Sequence, residues 1–161
     1  MEDVTYRPIG VIHSPYTEQA GTPIQAKVDP GTHARIEIFP EFVEGLDGLE
    51  GFSHIILIYH FHRSRKANLR QTPFLDDRER GVFAIRSPSR PNPIGFSVVN
   101  IVAIEGNIIE VSGVDILDGT PLLDIKPYVP DFDIYDAAKT GWLERRLGDL
   151  ERKRDDGRFA K

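Results

Sequence analysis

Phe96-Ser97-Val98-Val99-Asn100-Ile101-Val102-Ala103-Ile104-Glu105-Gly106-Asn107-Ile108-Ile109-Glu110-Val111-Ser112-Gly113-Val114-Asp115-Ile116 holds two β-rich runs, 96–104 and 108–116, around a Glu-Gly-Asn link. A glycine-containing link of that length fits a hairpin loop, so the runs pair antiparallel. Directly before them stands Arg86-Ser87-Pro88-Ser89-Arg90-Pro91-Asn92-Pro93-Ile94-Gly95, preceded by another apolar run, 81–85, read as a strand. Each proline fixes its own φ and restrains the residue before it, so this linker is stiff and mostly extended. Prolines also remove amide donors, so the segment cannot lie in the middle of a sheet. Two readings stay open. It is a rigid loop presenting two guanidiniums to a planar anion such as a carboxylate or phosphate, or a proline-stiffened solvent loop.

Working outward, residues 6–12 read as a short strand, ended by the turn chemistry of His13-Ser14-Pro15-Tyr16. Residues 17–30 lack periodicity and hold Gly21, Pro23 and Pro30. They form a long loop, and such loops in compact domains are often functional. Residues 32–39 alternate, with Ala34, Ile36 and Ile38 on one face and His33, Arg35 and Glu37 on the other, as in a half-buried strand. Residues 40–51 carry glycine at 45, 48 and 51 and suit a turn, or one helical turn at most. Residues 53–62 are the most apolar strand candidate, with His54, His60 and His62 on the same face as Ile56 and Ile58.

Residues 64–79 are polar and basic and read as a mobile loop. Leu117-Asp118-Gly119-Thr120-Pro121 is a turn, and 122–129 a short extended segment broken by Pro127. Only 137–154 look helical, with Leu143, Leu147 and Leu150 at i, i+4 and i+7 beside Trp142, before a frayed tail. Strands and turns at short spacing predict a mainly β fold. It is a small single-domain antiparallel β-barrel over 1–136, followed by a C-terminal helix and tail over 137–161.

With 161 residues the chain can bury a proper core, and 40% apolar against 28% charged residues mark it as a soluble globular domain. The absence of cysteine excludes disulfides, Cys-ligated zinc and a thiol nucleophile. The start, Met1-Glu2-Asp3, is acidic, with no apolar signal core. No apolar run approaches the roughly 20 residues of a membrane span, so a cytoplasmic location is expected. A net charge of −5 argues against a generic nucleic-acid coat. Yet between Arg63 and Arg90 eight basic residues face three acids, which leaves −10 on the remainder. A local basic zone on an acidic protein fits an anionic substrate met at one place; a solvated loop is the plainer alternative.

No GxGxxG or P-loop is present, and no serine stands in a nucleophile elbow. His60 and His62 form an HxH pair that could ligate a metal inside a barrel if a third ligand came from elsewhere. His54 reads as a satisfied core histidine. Asp115, Asp118, Asp124, Lys126 and Tyr128 cluster after the hairpin. Asp118 has a plain role in an Asp-Gly turn. Asp115 and Asp124 stand among Val114, Ile116, Leu123 and Ile125, and a carboxylate there needs a partner: Lys126, Arg86 or Arg90.

Ile9-Gly10-Val11-Ile12-His13-Ser14-Pro15-Tyr16 resembles the opening motif of the TsaA-like family, whose best-known members are TrmO-type tRNA adenine-N6 methyltransferases. Gly51-Phe52-Ser53-His54, the stretch from Gly81 to Gly95 and that from Asp115 to Tyr128 match the same family in the right order. The resemblance implies a single small β-barrel, a homodimer, and S-adenosyl-L-methionine (SAM) as cofactor near the dimer interface. It implies methylation of N6 of threonylcarbamoyl-adenosine beside the anticodon of a tRNA.

Carried over by position, the cofactor contacts are Pro23, Ile24, Gln25, His62, Arg63, Arg86, Phe96, Gly113, Val114 and Asp115. No metal site is assigned, since the His60/His62 pair lacks a third ligand at recognisable spacing. Asp115 or Asp124 is the expected acceptor for the amine N–H, with Lys126 and Tyr128 holding the site or the RNA backbone. Larger relatives carry a C-terminal RNA-binding extension, whereas this chain stops after one helix and a tail. Phosphate contacts would then fall to 63–80 and to Arg145, Arg146, Arg152, Lys153 and Arg154. A SAM-binding barrel with a non-RNA substrate, and a metal-dependent enzyme using His60 and His62, remain as alternatives.

Overall fold

Period-2 alternation closes this chain on itself. The computed structural model describes residues 2–20, 22, 31–137 and 139–144. Within them run β1 (Gly10–His13), β2 (His33–Ile38), β3 (His54–His60), β4 (Arg70–Gln71), β5 (Arg80–Gly81), β6 (Ile94–Glu105), β7 (Ile108–Ser112) and β8 (Thr120–Pro127). Six of these form a closed barrel in the order β1-β2-β7-β6-β3-β8, while β4 and β5 pair separately as a short ribbon. Every pairing is antiparallel. The predicted mainly β, antiparallel barrel is therefore the fold.

Ala34, Ile36 and Ile38 point inward from β2, as their alternation predicts, and meet Ile55, Leu57 and Tyr59 of β3 in one core with Ile12, Val99, Ile109, Val111 and Leu122. Fully burying each isoleucine or leucine stabilises the fold by about 1.5–3 kcal/mol. The predicted hairpin joins β6 to β7, with Glu105 opposite Ile108. The Asn107 amide donates to the Ile38 carbonyl at 3.0 Å and so ties this turn to β2.

Several local expectations are corrected. Residues 81–85 are not a strand: after β5 the chain makes a 3-10 turn, Val82–Ala84. Val82 and Ile85 are buried while Phe83 and Ala84 are exposed, a three-residue spacing that a strand cannot present to one side. Residues 64–79 are more than a mobile loop, since they carry β4 and the buried Gln71 and Leu75. Residues 40–51 hold two 3-10 helices, Pro40–Leu46 and Leu49–Gly51, rather than one turn. β7 stops at Ser112, where Gly113 turns at φ 76°, and 114–117 continue as irregular backbone.

β1 begins only at Gly10, because Pro8 has no amide to give a ladder. His54 is exposed on the outer face, bonded to Ser53 and packed edge-on against Tyr128, not a core histidine. Of the helix expected over 137–154, the described part shows a 3-10 turn at Gly141–Leu143, and 145–154 lie outside the described residues. A single α-helical turn, Pro130–Asp133, follows β8. Among the described residues no helix is long and apolar enough to cross a membrane.

Candidate functional site

β3, β6 and β8 bring their ends together around a cavity of about 570 Å³. One line of hydrogen bonds runs through its wall. On β3, Tyr59 faces the interior, and its hydroxyl lies 3.0 Å from Ser97 Oγ of β6. Ser97 Oγ donates to Asp115 Oδ1 at 2.6 Å, so the tyrosine must be the donor in the first bond. Tyr59 and Ser97 are each 4% exposed. Burial, reinforced by the nearby Asp115 charge, pushes the Tyr59 hydroxyl well above its usual titration range, so it stays protonated and can donate.

The tyrosine has room only because Gly95 stands opposite it. A Cβ on Gly95 would fall within 3.0 Å of both the Tyr59 and Phe61 rings.

A second cluster forms where β3 ends. His62 Nδ1 lies 3.3 Å from Thr120 Oγ1 at the start of β8, and Arg63 donates to the Thr17 carbonyl at 2.8 Å. Burial, with help from Arg63 and His60, holds the His62 pKa below its ordinary 6.5, which keeps the ring neutral. On the cavity rim Arg86 lies over the Phe96 ring at 5.0 Å, a cation–π pair.

The Arg86–Gly95 stretch is held from behind by buried amide and hydroxyl groups. Gln71 Nε2 donates to the carbonyls of Ser89, at 2.6 Å, and Asn68, while its Oε1 accepts from Ser87 Oγ. Gln71, Ser87 and Ser89 are all buried. Ser64 adds a bond to the Pro88 carbonyl at 2.9 Å. The prolines limit the loop's own freedom, and this network fixes its position on the barrel.

The expected cofactor contacts divide into three groups. His62, Arg63, Arg86, Phe96 and Asp115 line the cavity together. Gly113 and Val114 lead into it: the Gly113 amide bonds the Thr32 carbonyl at 2.9 Å, and Val114 is buried in the core. Pro23, Ile24 and Gln25 lie outside the described residues.

Of the expected catalytic residues only Asp115 lines the cavity. Asp124 and Lys126 pair with each other at 2.7 Å, half-exposed on the barrel's outer face. Tyr128 sits at the far end of β3, its amide bonded to the His54 carbonyl. Arg90 lines the cavity but donates to the Ile85 carbonyl at 3.3 Å rather than bracing an aspartate. His60 shares the outer face with Ile56 and Ile58. Among the described residues no group of three His, Cys, Asp or Glu side chains could hold a metal ion.

Three contributors escape sequence reasoning: Tyr59, Ser97 and Thr120. A serine at an inward position between Gly95 and Val99 was the available signal for Ser97, since a buried hydroxyl needs a partner. The network around Gln71 had no comparable mark, because its carbonyl partners are invisible in a string of side chains.

The model of the tRNA-methyltransferase O N-terminal domain family matches residues 11–134. A probable S-adenosyl-L-methionine-binding protein of Pyrococcus abyssi is 56% identical over 156 residues, covering 97% of this chain and 85% of that protein. A tRNA (adenine(37)-N6)-methyltransferase of Mus musculus is 41% identical over 133 residues, covering 78% of this chain and 31% of that protein. A crystal structure of TrmO from Pseudomonas aeruginosa is similar with a TM-score of 0.75 at 40% identity, covering 87% of this chain and 62% of that one. The chain thus spans less than a third of the mouse enzyme's length.

Proposed function

Because this chain belongs to the tRNA-methyltransferase O N-terminal domain family, we propose that it is a SAM-dependent methyltransferase acting on tRNA in the cytoplasm. Its target is N6 of the threonylcarbamoyl-adenosine beside the anticodon. The observation that carries this reading is Asp115, a carboxylate fixed by Ser97 in the wall of a cavity rimmed by arginine and phenylalanine.

The residues fit the cofactor. Arg86 and Arg63 suit its carboxylate, Phe96 offers an apolar face to its adenine, and Asp115 with the neutral His62 favours its sulfonium. The cavity's volume lies within the usual range for sites that enclose such a molecule. Bound there, SAM supplies an electrophilic methyl group. The protein's own work is placement: Asp115 accepts the N–H of the incoming amine, aims its lone pair and offsets the charge that grows on nitrogen. A carboxylate offers about four acceptor positions, so the bond from Ser97 leaves capacity for that contact.

The assembly is a homodimer. Outward-facing Ile56, Ile58, Phe96 and Val98 make an apolar strip across β3 and β6, and Phe96 is 51% exposed while also lining the cavity. A second copy laid on this strip buries it and walls the cavity at once. Sedimentation of Phe96→Asp as a monomer, against a wild-type dimer, checks the assembly.

The function is tested by incubating the purified full chain with SAM and tRNA carrying threonylcarbamoyl-adenosine, then measuring the nucleosides by mass spectrometry. A mass gain of one methyl group on that nucleoside is expected. Cofactor binding without methylation of any tRNA would move the assignment to a SAM-binding barrel with another substrate, a reading that the net charge of −5 favours.

A further inference from the structure

One side of the cavity carries none of the expected cofactor contacts. Phe83, on the 3-10 turn after β5, is 81% exposed and still lines the cavity, with Trp142 and Leu143 beside it. This wall is firmly mounted. The Val82 amide donates to the Leu69 carbonyl at 2.9 Å, and Val82 itself is buried. The Trp142 indole N–H donates to the Ala84 carbonyl at 2.8 Å, and Arg80 lies over the indole at 5.9 Å. Arg80 is held in turn by Asp76 at 2.6 Å, and this bond keeps the Asp76 carboxyl down at about 2.

Single exposed apolar side chains are ordinary on protein surfaces. Here, however, Phe83 is joined by Leu69, 65% exposed and a backbone neighbour of the same turn. The surrounding surface belongs to a basic zone of an acidic chain, with Arg63, Arg65, Lys66, Arg70, Arg78 and Arg86 all exposed. Flat apolar rings amid positive charge match the chemistry of an unpaired nucleotide, whose base stacks and whose phosphate is anionic.

Building on the tRNA reading, we propose that this recess receives the target adenine of an unpaired RNA loop. Its base packs against Phe83 and Trp142, and its neighbouring phosphates lie on the basic residues of 63–80. An exocyclic amine reaches a cavity only when its base leaves the helical stack, and the leaving base needs a new surface to stack on. Phe83 offers that surface without choosing among bases, because every base has a π-face. Rigid mounting matters for the same reason as elsewhere in the site, since a base that can shift does not present N6 along one line.

Trp142 is the sole tryptophan, so its fluorescence reports on the recess alone. The full chain, saturated with S-adenosylhomocysteine, is titrated with a stem-loop RNA bearing an adenosine in its loop and with a fully paired duplex of the same composition. The stem-loop is expected to quench Trp142 and the duplex to leave it unchanged. Phe83→Ala should weaken stem-loop affinity about 10- to 100-fold and leave S-adenosylhomocysteine affinity within about twofold. Cofactor titration of the variant also reports that it is folded.

Stem-loop affinity unchanged in Phe83→Ala, while the wild type binds and methylates RNA, overturns the recess alone. Quenching completed by S-adenosylhomocysteine before RNA is added would place the cofactor in the recess and overturn it too. A wild type that binds no RNA overturns the tRNA reading, and the recess with it.

Discussion

Asp115 and Asp124 stand nine positions apart in one motif, each among apolar neighbours, and in sequence either could orient the substrate amine. In the fold they occupy unlike regions. Asp115 lines the cavity and accepts from a serine that is 4% exposed. Asp124 lies on the barrel's outer face, its side chain 45% exposed and paired with Lys126. The cavity region works by restraint: strands on either side hold each hydrogen-bonding group in one place. The outer face works by solvation, and an ion pair there contributes little because water screens it and side-chain entropy opposes it. A carboxylate's chemistry is therefore set less by its sequence neighbours than by which side of the sheet it leaves.

The largest expected effect lies at the cavity. Asp115→Asn should lower turnover about 10²- to 10⁴-fold, the span usual for a positioned proton acceptor, with SAM affinity reduced far less than turnover and melting temperature little changed. Steady-state kinetics with calorimetric SAM titration checks it, and full turnover in the variant would take Asp115 out of the mechanism. Next comes Gly95→Ala, which tests whether the cavity wall is as tightly set as its packing indicates. The added methyl must displace the Tyr59 ring, at a cost of about 1–3 kcal/mol by denaturant unfolding. A variant as stable as wild type would show that the wall yields.

A smaller contrast appears in pH dependence. The His62 pKa is lowered in the fold, so between that value and 6.5 the unfolded chain binds more protons than the native one. Stability therefore rises with pH toward 6.5 and is lost as pH falls below it. One group contributes a slope of at most about 1.4 kcal/mol per pH unit. His62→Gln should flatten the acid side of the unfolding curve relative to wild type, and parallel curves would contradict the shift. The smallest effect belongs to the outer face. Asp124→Asn should cost under about 1 kcal/mol and leave turnover within about twofold. A loss as great as that at Asp115 would reverse the contrast between the two aspartates.

The barrel was legible because its signal is periodic. Ala34, Ile36 and Ile38 advertise one buried face, and the glycine-bearing link at 105–107 forces its flanking strands together. The errors share one physical origin. Residues 81–85 look β-rich by composition, yet burial follows the three-residue step from Val82 to Ile85, and in so short a run composition masks the period. His54 was placed in the core because its face of β3 is apolar. Ile56 and Ile58 are indeed apolar, but they face outward, and a strand that is apolar on both sides does not say which side is inside. Within the site, Arg86, Phe96 and Asp115 could be located from the motifs. Ser97 and Tyr59 meet Asp115 only through strand register, which a single sequence does not print.

Gln71 carries a further consequence. The ribbon of β4 and β5 has only two residues on each side, too little pairing to persist unaided. Its side-chain attachment to the proline loop is an amide that reaches across to Ser87 and Ser89. One residue thus works as a rivet between two pieces that the barrel's sheet does not join. Opening the ribbon breaks the rivet, and breaking the rivet loosens the proline loop, which then keeps its bonds from Ser64, Asn68 and Phe61. The two segments form a single cooperative unit, so the basic surface and the cavity rim loosen together or stay closed together.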